Sequence, residues 1–226
     1  KPQIPGAEPW STIEKLNKEK ELVGIYLSAH PLDEYRIVLN YVCNTGMAEF
    51  NEKESLTGRE VLAGGIVSGF REGMTKTGKP YGILKVDDFT GSGEIALFGQ
   101  NYIDYAKYGR EGMYLLISGK MEPRPYNKDI LDFQIKSIKL LQDEKDKMIE
   151  NIYITVPIHS LDEPTINELS TMIKTHPGNS LLYFRVVDGE HNVSLNMFSQ
   201  KIKVNVPREL IDYLSESDTL DFKINA

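Results

Sequence analysis

The chain has 226 residues, a formal net charge of −7, 40% hydrophobic and 26% charged side chains, and one cysteine. This is the make-up of a soluble globular protein with room for one large core or two small ones. It excludes an internal disulfide framework, and no apolar run approaches the roughly 18 residues that span a bilayer, so no membrane partner is expected. No secretory signal opens the sequence, and Lys1 in place of Met reads as a piece cut from a longer chain. The lone Cys43 suits a reducing, cytoplasmic setting. Histidines 30, 159, 176 and 191 never fall at metal-ligand spacing, so no structural zinc is expected.

In chain order, Ser11-Thr12-Ile13-Glu14 fits a capping box, and Ile13, Leu16, Val23 and Leu27 recur at broadly helical spacing until Pro31. A second short helix is expected across Leu32 to Val42. Neither helix can bury its apolar stripe alone. From Val61 the period becomes that of strands: VLAGGIVSGF, YGILKVDDF, GEIALFG, MYLLISGKME and ILDFQIKSIKLL. Their joints are GMTKTGK, TGS, a stretch from Gln100 to Gly109 that suits a short helix, and PRPYNKD. Five strands with a helix between the third and fourth is the order of the five-stranded Greek-key barrel called the OB-fold. Glycines 64, 65 and 69 suit the coiling of a small barrel.

The charged run QDEKDKMIEN reads as a linker or exposed helix. Beyond it come a strand at NIYITVPI, a helix from Asp162 to Lys174, and a hairpin of LLYFRVV and NVSLNMF about Asp188-Gly189-Glu190-His191. A separate strand IKVNV, a helix opening at Pro207 and a last strand TLDFKI follow. The expected class is α+β and multi-domain: an N-terminal helical segment over 1–58, an OB-fold barrel over 59–142, a linker over 143–151 and a small α+β domain over 152–226.

Charge is spread unevenly. Residues 1–60 carry 7 basic and 10 acidic side chains, residues 61–142 carry 11 and 9, and residues 143–226 carry 8 and 14. An anion-binding surface is therefore expected in the middle third. Alternation puts Leu84, Val86, Ile95 and Leu97 inside and Tyr81, Ile83, Lys85 and Phe98 outside. Arg71, Lys76 and Lys79 flank this face from the first loop, and Arg124, Tyr126 and Lys128 from the last. Cations interleaved with aromatic rings suit single-stranded nucleic acid, where charge meets phosphate and rings take stacked bases. Glycines and lysines in a hairpin loop also serve plain turn formation and solubility, and these residues alone leave both readings standing. Asp87-Asp88 reads as a turn ending the second strand rather than a metal site, and His30 as a helix-end residue. No GxSxG, P-loop or HExxH motif appears.

Two stretches go further. EKELVGIYLSAHPLDEY (19–35) resembles the segment before the OB domain in the alpha subunit of bacterial DNA polymerase III, with Ile25 and Ala29 in place of the usual aromatic and glycine. GGIVSGFREGMTKTGKPYGILKVDDFTGSGEIALF (64–98) is similar to that family's OB domain, and the resemblance covers about residues 10–142. It implies a C-terminal fragment of a replicative polymerase, without the palm aspartates that hold magnesium in the family and without activity or a cofactor of its own. It implies that the OB domain engages single-stranded template through Arg71, Lys76, Lys79 and Tyr81, then Lys85, Phe98, Arg124, Tyr126 and Lys128. The acidic last domain is expected to repel DNA and to dock a protein, which in some members is the clamp loader's tau subunit. The sliding-clamp peptide of the family precedes this region and has no copy in residues 1–10. The rival readings are an OB-fold that only scaffolds, and a tRNA anticodon-binding OB domain.

Overall fold

A computed structural model describes residues 18, 19, 22, 23, 30–124 and 127–225. The capping box at Ser11–Glu14, most of the first expected helix and Tyr126 lie outside the described residues. The second helix is a 3-10 turn at Asp33–Tyr35 running into α1 (Arg36–Tyr41). Strands β1 (Glu60–Met74), β2 (Pro80–Asp87), β3 (Ser92–Phe98), β4 (Tyr114–Arg124) and β5 (Asn127–Leu140) form one sheet of order β3-β2-β1-β4-β5, with α2 (Gln100–Tyr105) between β3 and β4.

Strand alternation sets the core. Leu84, Val86, Ile95, Leu97, Leu115 and Ile117 all point inward at 1% exposure or less, so truncating one of the leucines to alanine costs about 2–5 kcal/mol. Coiling β1 across β2 needs Gly65, because a Cβ there would stand 2.5 Å from the Asp87 carbonyl oxygen. Among the described residues β3 and β5 are not hydrogen-bonded to each other. The gap is filled by a 3-10 turn, Met47–Asn51, that the sequence reading did not anticipate. Phe50 is buried edge-on against Phe133 at 5.2 Å, and Asn51 Nδ2 donates to the Ser92 carbonyl at 2.9 Å. The result is a partly open OB-fold barrel with its β3 edge covered.

After α3 (Leu141–Met148) come β6 (Asn151–Pro157), α4 (Glu163–Thr175), β7 (Pro177–Asp188), β8 (Val193–Val204), α5 (Arg208–Glu216) and β9 (Asp221–Asn225). Their sheet has the order β8-β7-β6-β9, with β6 parallel to β7 across the α4 crossover and the other pairs antiparallel. The strand expected at IKVNV is instead the end of β8, carried past an irregularity between Phe198 and Lys203. Asp162 caps α4 by accepting the Thr165 amide at 2.9 Å, worth about 1 kcal/mol. Both helices bury Leu169, Ile173, Leu210 and Leu214 against Ile152, Ile154 and Val156. They therefore cover one face of the sheet, and no described element packs over the other.

The HPL segment sits where the two sheets meet. Leu32, Tyr35 and Val38 are buried with Ile66, Leu116 and Leu141, while Ile37 and Val42 reach the second core. The His30 amide donates to Asp33 Oδ2 at 2.9 Å, the Leu32 amide donates to His30 Nδ1 at 3.2 Å, and the imidazole lies 4.7 Å from the Phe89 ring. His30 thus closes a turn and docks it on the β2–β3 connection.

Candidate nucleic-acid interface

The outer surface of β1, β2 and β3 is three cross-strand rows. Their register aligns Gly69, Lys85 and Glu94, then Arg71, Ile83 and Ala96, then Gly73, Tyr81 and Phe98. Small residues at 69, 73 and 96 keep the surface low, so the rings of the third row stand clear. Tyr81 and Phe98 meet at 5.5 Å with a 33° tilt, and Phe98 is 41% exposed. The tyrosine ring reclines over Gly73, where a Cβ would lie 2.8 Å from it.

The loop above this row is rigid turn chemistry. The Thr75 carbonyl accepts the Gly78 amide at 2.9 Å, the Thr75 amide donates to the Lys79 carbonyl at 2.8 Å, and Thr75 Oγ1 accepts the Lys79 amide at 3.0 Å. Gly78 takes φ +76°, a left-handed conformation that closes the hairpin. The turn holds Lys76 and Lys79 exposed at its tip, and among the described residues no ion pair reaches either of them or Lys85.

Several expectations are corrected in place. Arg71 is a β1 residue rather than a loop residue, and its guanidinium grips Glu94 through two contacts of 2.8 and 3.0 Å. Arg124 is the last residue of β4, pairs with Asn127 across a tight hairpin, and contacts Asp132 at 3.3 Å. Lys128 falls in β5, so the last loop is much shorter than the expected Pro123–Asp129. The ladder puts Lys120 opposite Glu60 and Pro80 opposite Met74. Arg124 therefore leaves β1 at the end away from the lysine turn. The register places Arg71, Tyr81, Lys85 and Phe98 on one face with Lys76 and Lys79 in the turn at its end, while Arg124 and Lys128 belong to the β4–β5 hairpin.

The two aspartates divide their work. Asp88 Oδ1 accepts the Thr90 and Gly91 amides at 2.7 and 3.0 Å, and its Oδ2 accepts the Met47 amide at 2.8 Å. Asp87 Oδ1 accepts the Ser68 and Ser92 hydroxyls, each at 2.7 Å. Burial, with the Asp88 charge adding to it, pushes the Cys43 thiol up to about 12, so it is no nucleophile. Among the described residues no three His, Cys, Asp or Glu side chains converge as metal ligands do, and no helix is long and apolar enough to cross a membrane. Sequence reading missed Glu94 as the partner of Arg71, although its place opposite Lys85 follows from the hairpin register.

Strand order, helix placement and this face define an OB-fold module joined to a small α+β unit. Residues 152–225 match the family model "DNA polymerase III alpha subunit, C-terminal domain". The chain is 27% identical to DNA polymerase III subunit alpha of Saccharopolyspora erythraea over 76% of its own length and 14% of that protein's. It is 24% identical to the subunit of Bacillus subtilis over 96% of this chain and 19% of the relative, and 24% identical to that of Escherichia coli K12 over 80% and 16%. It is thus similar to the DNA polymerase III alpha subunits, with residues 152–225 matching the model of their C-terminal domain, and it spans 14–19% of the length of these curated relatives. Among solved structures, the mitochondrial single-stranded DNA binding protein Rim1 of S. cerevisiae aligns with 37% of this chain and 94% of its own, at 17% identity and a TM-score of 0.30. That likeness is slight, and the fold assignment rests on the strand order above.

Proposed function

We propose that this chain is the template-handling and docking part of a replicative DNA polymerase alpha subunit. Its OB-fold binds single-stranded DNA, and its α+β domain docks a replisome protein. The observation that carries the first half is the half-buried Tyr81 ring paired with the exposed Phe98, near three cations, Lys76, Lys79 and Lys85, that no described carboxylate neutralises. Stacked bases contribute about 1–3 kcal/mol each, and phosphate contacts make the affinity steeply salt-dependent. Catalysis and its magnesium ions belong, on this reading, to palm aspartates outside residues 1–226.

The second half is supported by an apolar groove of about 260 Å³ between α4 and β8, lined by Leu161, Ile166, Ile173, Phe184, Met197 and Ile202. Strand β8 is a sheet edge with Val193, Leu195 and Met197 exposed, as strand-adding or helix-docking partners require. The clamp loader's tau subunit is the proposed occupant.

Fluorescence anisotropy with labelled oligo-dT tests the first half. Wild type should bind with a log–log salt slope of about −2, which becomes markedly shallower in Lys76→Ala/Lys79→Ala/Lys85→Ala. An unchanged slope in that variant sinks the lysine assignment. Absence of binding at low salt, with tau still captured, favours the scaffold reading, and preference for structured tRNA favours the anticodon-type reading.

A further inference from the structure

We propose that the uncovered face of the second sheet is a second platform for single-stranded nucleic acid, separate from the OB face. The register brings Lys223, Tyr153, Tyr183 and Phe198 into one row across β9, β6, β7 and β8. Tyr153 and Tyr183 stack at 4.7 Å and 15°, and Phe198 continues the row at 6.2 Å. Because β8 is the sheet edge, among the described residues no strand lies on the far side of the Phe198 ring, and the residue is 59% exposed. A base can stack there as one more ring in the row.

Charge on this face has the sign that a phosphate chain needs. Arg185 lies one row along from Tyr183, beside Thr155 and Asn196, and Lys203 lies one row back, beside Leu181. Among the described residues no ion pair reaches Arg185, Lys203 or Lys223. Of the 14 acidic residues between 143 and 226, only Asp221 holds a strand position on this face, and its carboxylate accepts the Phe222 amide at 2.8 Å. The others sit on α3, α4, α5 and the connections, and Asp188 is turned onto the hairpin amides of Glu190 and His191. The acidity that argued against DNA in this domain therefore stands on its helices and turns. A bound strand crosses the rows of Phe198 and Arg185 and stops short of the hairpin turn, where Asp188 and Glu190 cluster.

Two measurements on the 226-residue chain test this. First, an oligo-dT carrying 5-iodouridine is photo-crosslinked and the adducts are mapped by mass spectrometry. The proposal expects adducts on peptides containing Phe198 or Tyr183, including in a Tyr81→Ala/Phe98→Ala background that disables the OB face. Second, Arg185→Ala/Lys223→Ala in that background should weaken the remaining oligo-dT binding roughly tenfold and flatten its salt slope by about 1.4. Both substitutions are at the surface and leave the core intact, with an unchanged melting temperature as the check. Adducts confined to β1–β3 overturn the proposal and leave the OB reading standing; adducts confined to β6–β8 do the reverse. Capture of poly-glutamate through Arg185 and Lys223, with oligo-dT failing to compete, assigns the face to an acidic protein and also overturns it.

Discussion

The two sheets present open faces built alike but charged differently. Each carries a cross-strand aromatic row, Tyr81–Phe98 on one and Tyr153–Tyr183–Phe198 on the other. On the OB face one arginine is held by Glu94 and the free charge stands on the rigid lysine turn. On the second face the cations project from the strands themselves. The barrel lies in the positive third of the sequence and the second sheet in the most acidic, yet both faces carry cations beside their aromatic rows. Net charge per domain is thus a poor guide to a single face, because the acids of the last domain stand mostly on its helices and turns, Asp162 as a helix cap among them.

The largest effect expected on the OB face comes from removing its rings. Tyr81→Ala/Phe98→Ala should lower oligo-dT affinity by about 10- to 100-fold in anisotropy with little change in melting temperature, since both rings lie outside the core. Next, Gly73→Val should reproduce most of that loss, because its Cβ displaces the tyrosine ring while the backbone pairing survives. A wild-type affinity in Gly73→Val would show that the reclined ring is not the stacking surface. A smaller and opposite change is expected from Glu94→Gln, which releases Arg71: affinity should rise a few-fold and the salt slope steepen by about 0.7. If Glu94→Gln weakens binding, the ion pair is instead part of the DNA-competent face.

The smallest effect concerns the segment joining the two faces. Burial alone raises Asp33, but the Arg36 contact at 2.5 Å, the His30 amide and the charge of Arg208 together hold its carboxyl below the usual value of 3.8. A depressed folded value means the stabilisation is complete above about pH 4 and is lost as pH falls through the folded value. Asp33→Asn should therefore melt about 2–4 °C lower at pH 7, for roughly 1 kcal/mol in a chain of this size, and the gap should narrow as pH falls below about 4.

Strand alternation made the barrel legible: Leu84, Val86, Ile95 and Leu97 read as inward from period alone and are. The hairpin signal at Asp188–His191 and the helix opening at Pro207 were legible for the same local reason. The 3-10 turn at Met47–Asn51 was not, because its stability comes from Phe133, Gly93 and Asp88, remote in sequence. PRPYNKD looked like a loop on proline and polar content, whereas cross-strand pairing carries β4 to Arg124. The lysine turn could be found locally, but the Arg71–Glu94 pair required the β1–β2–β3 register. The Tyr153–Tyr183–Phe198 row required a parallel pairing across a helix, which no local signal encodes.

The measurement closest to the central claim is an amide chemical-shift titration of the chain with oligo-dT at low salt. The account predicts the largest shifts at Gly73 to Phe98, centred on the 75–79 turn, Tyr81 and Phe98, with smaller ones along β7 and β8 and none on α4. Saturating oligo-dT that leaves the amides of β1, β2 and the turn unmoved would contradict it.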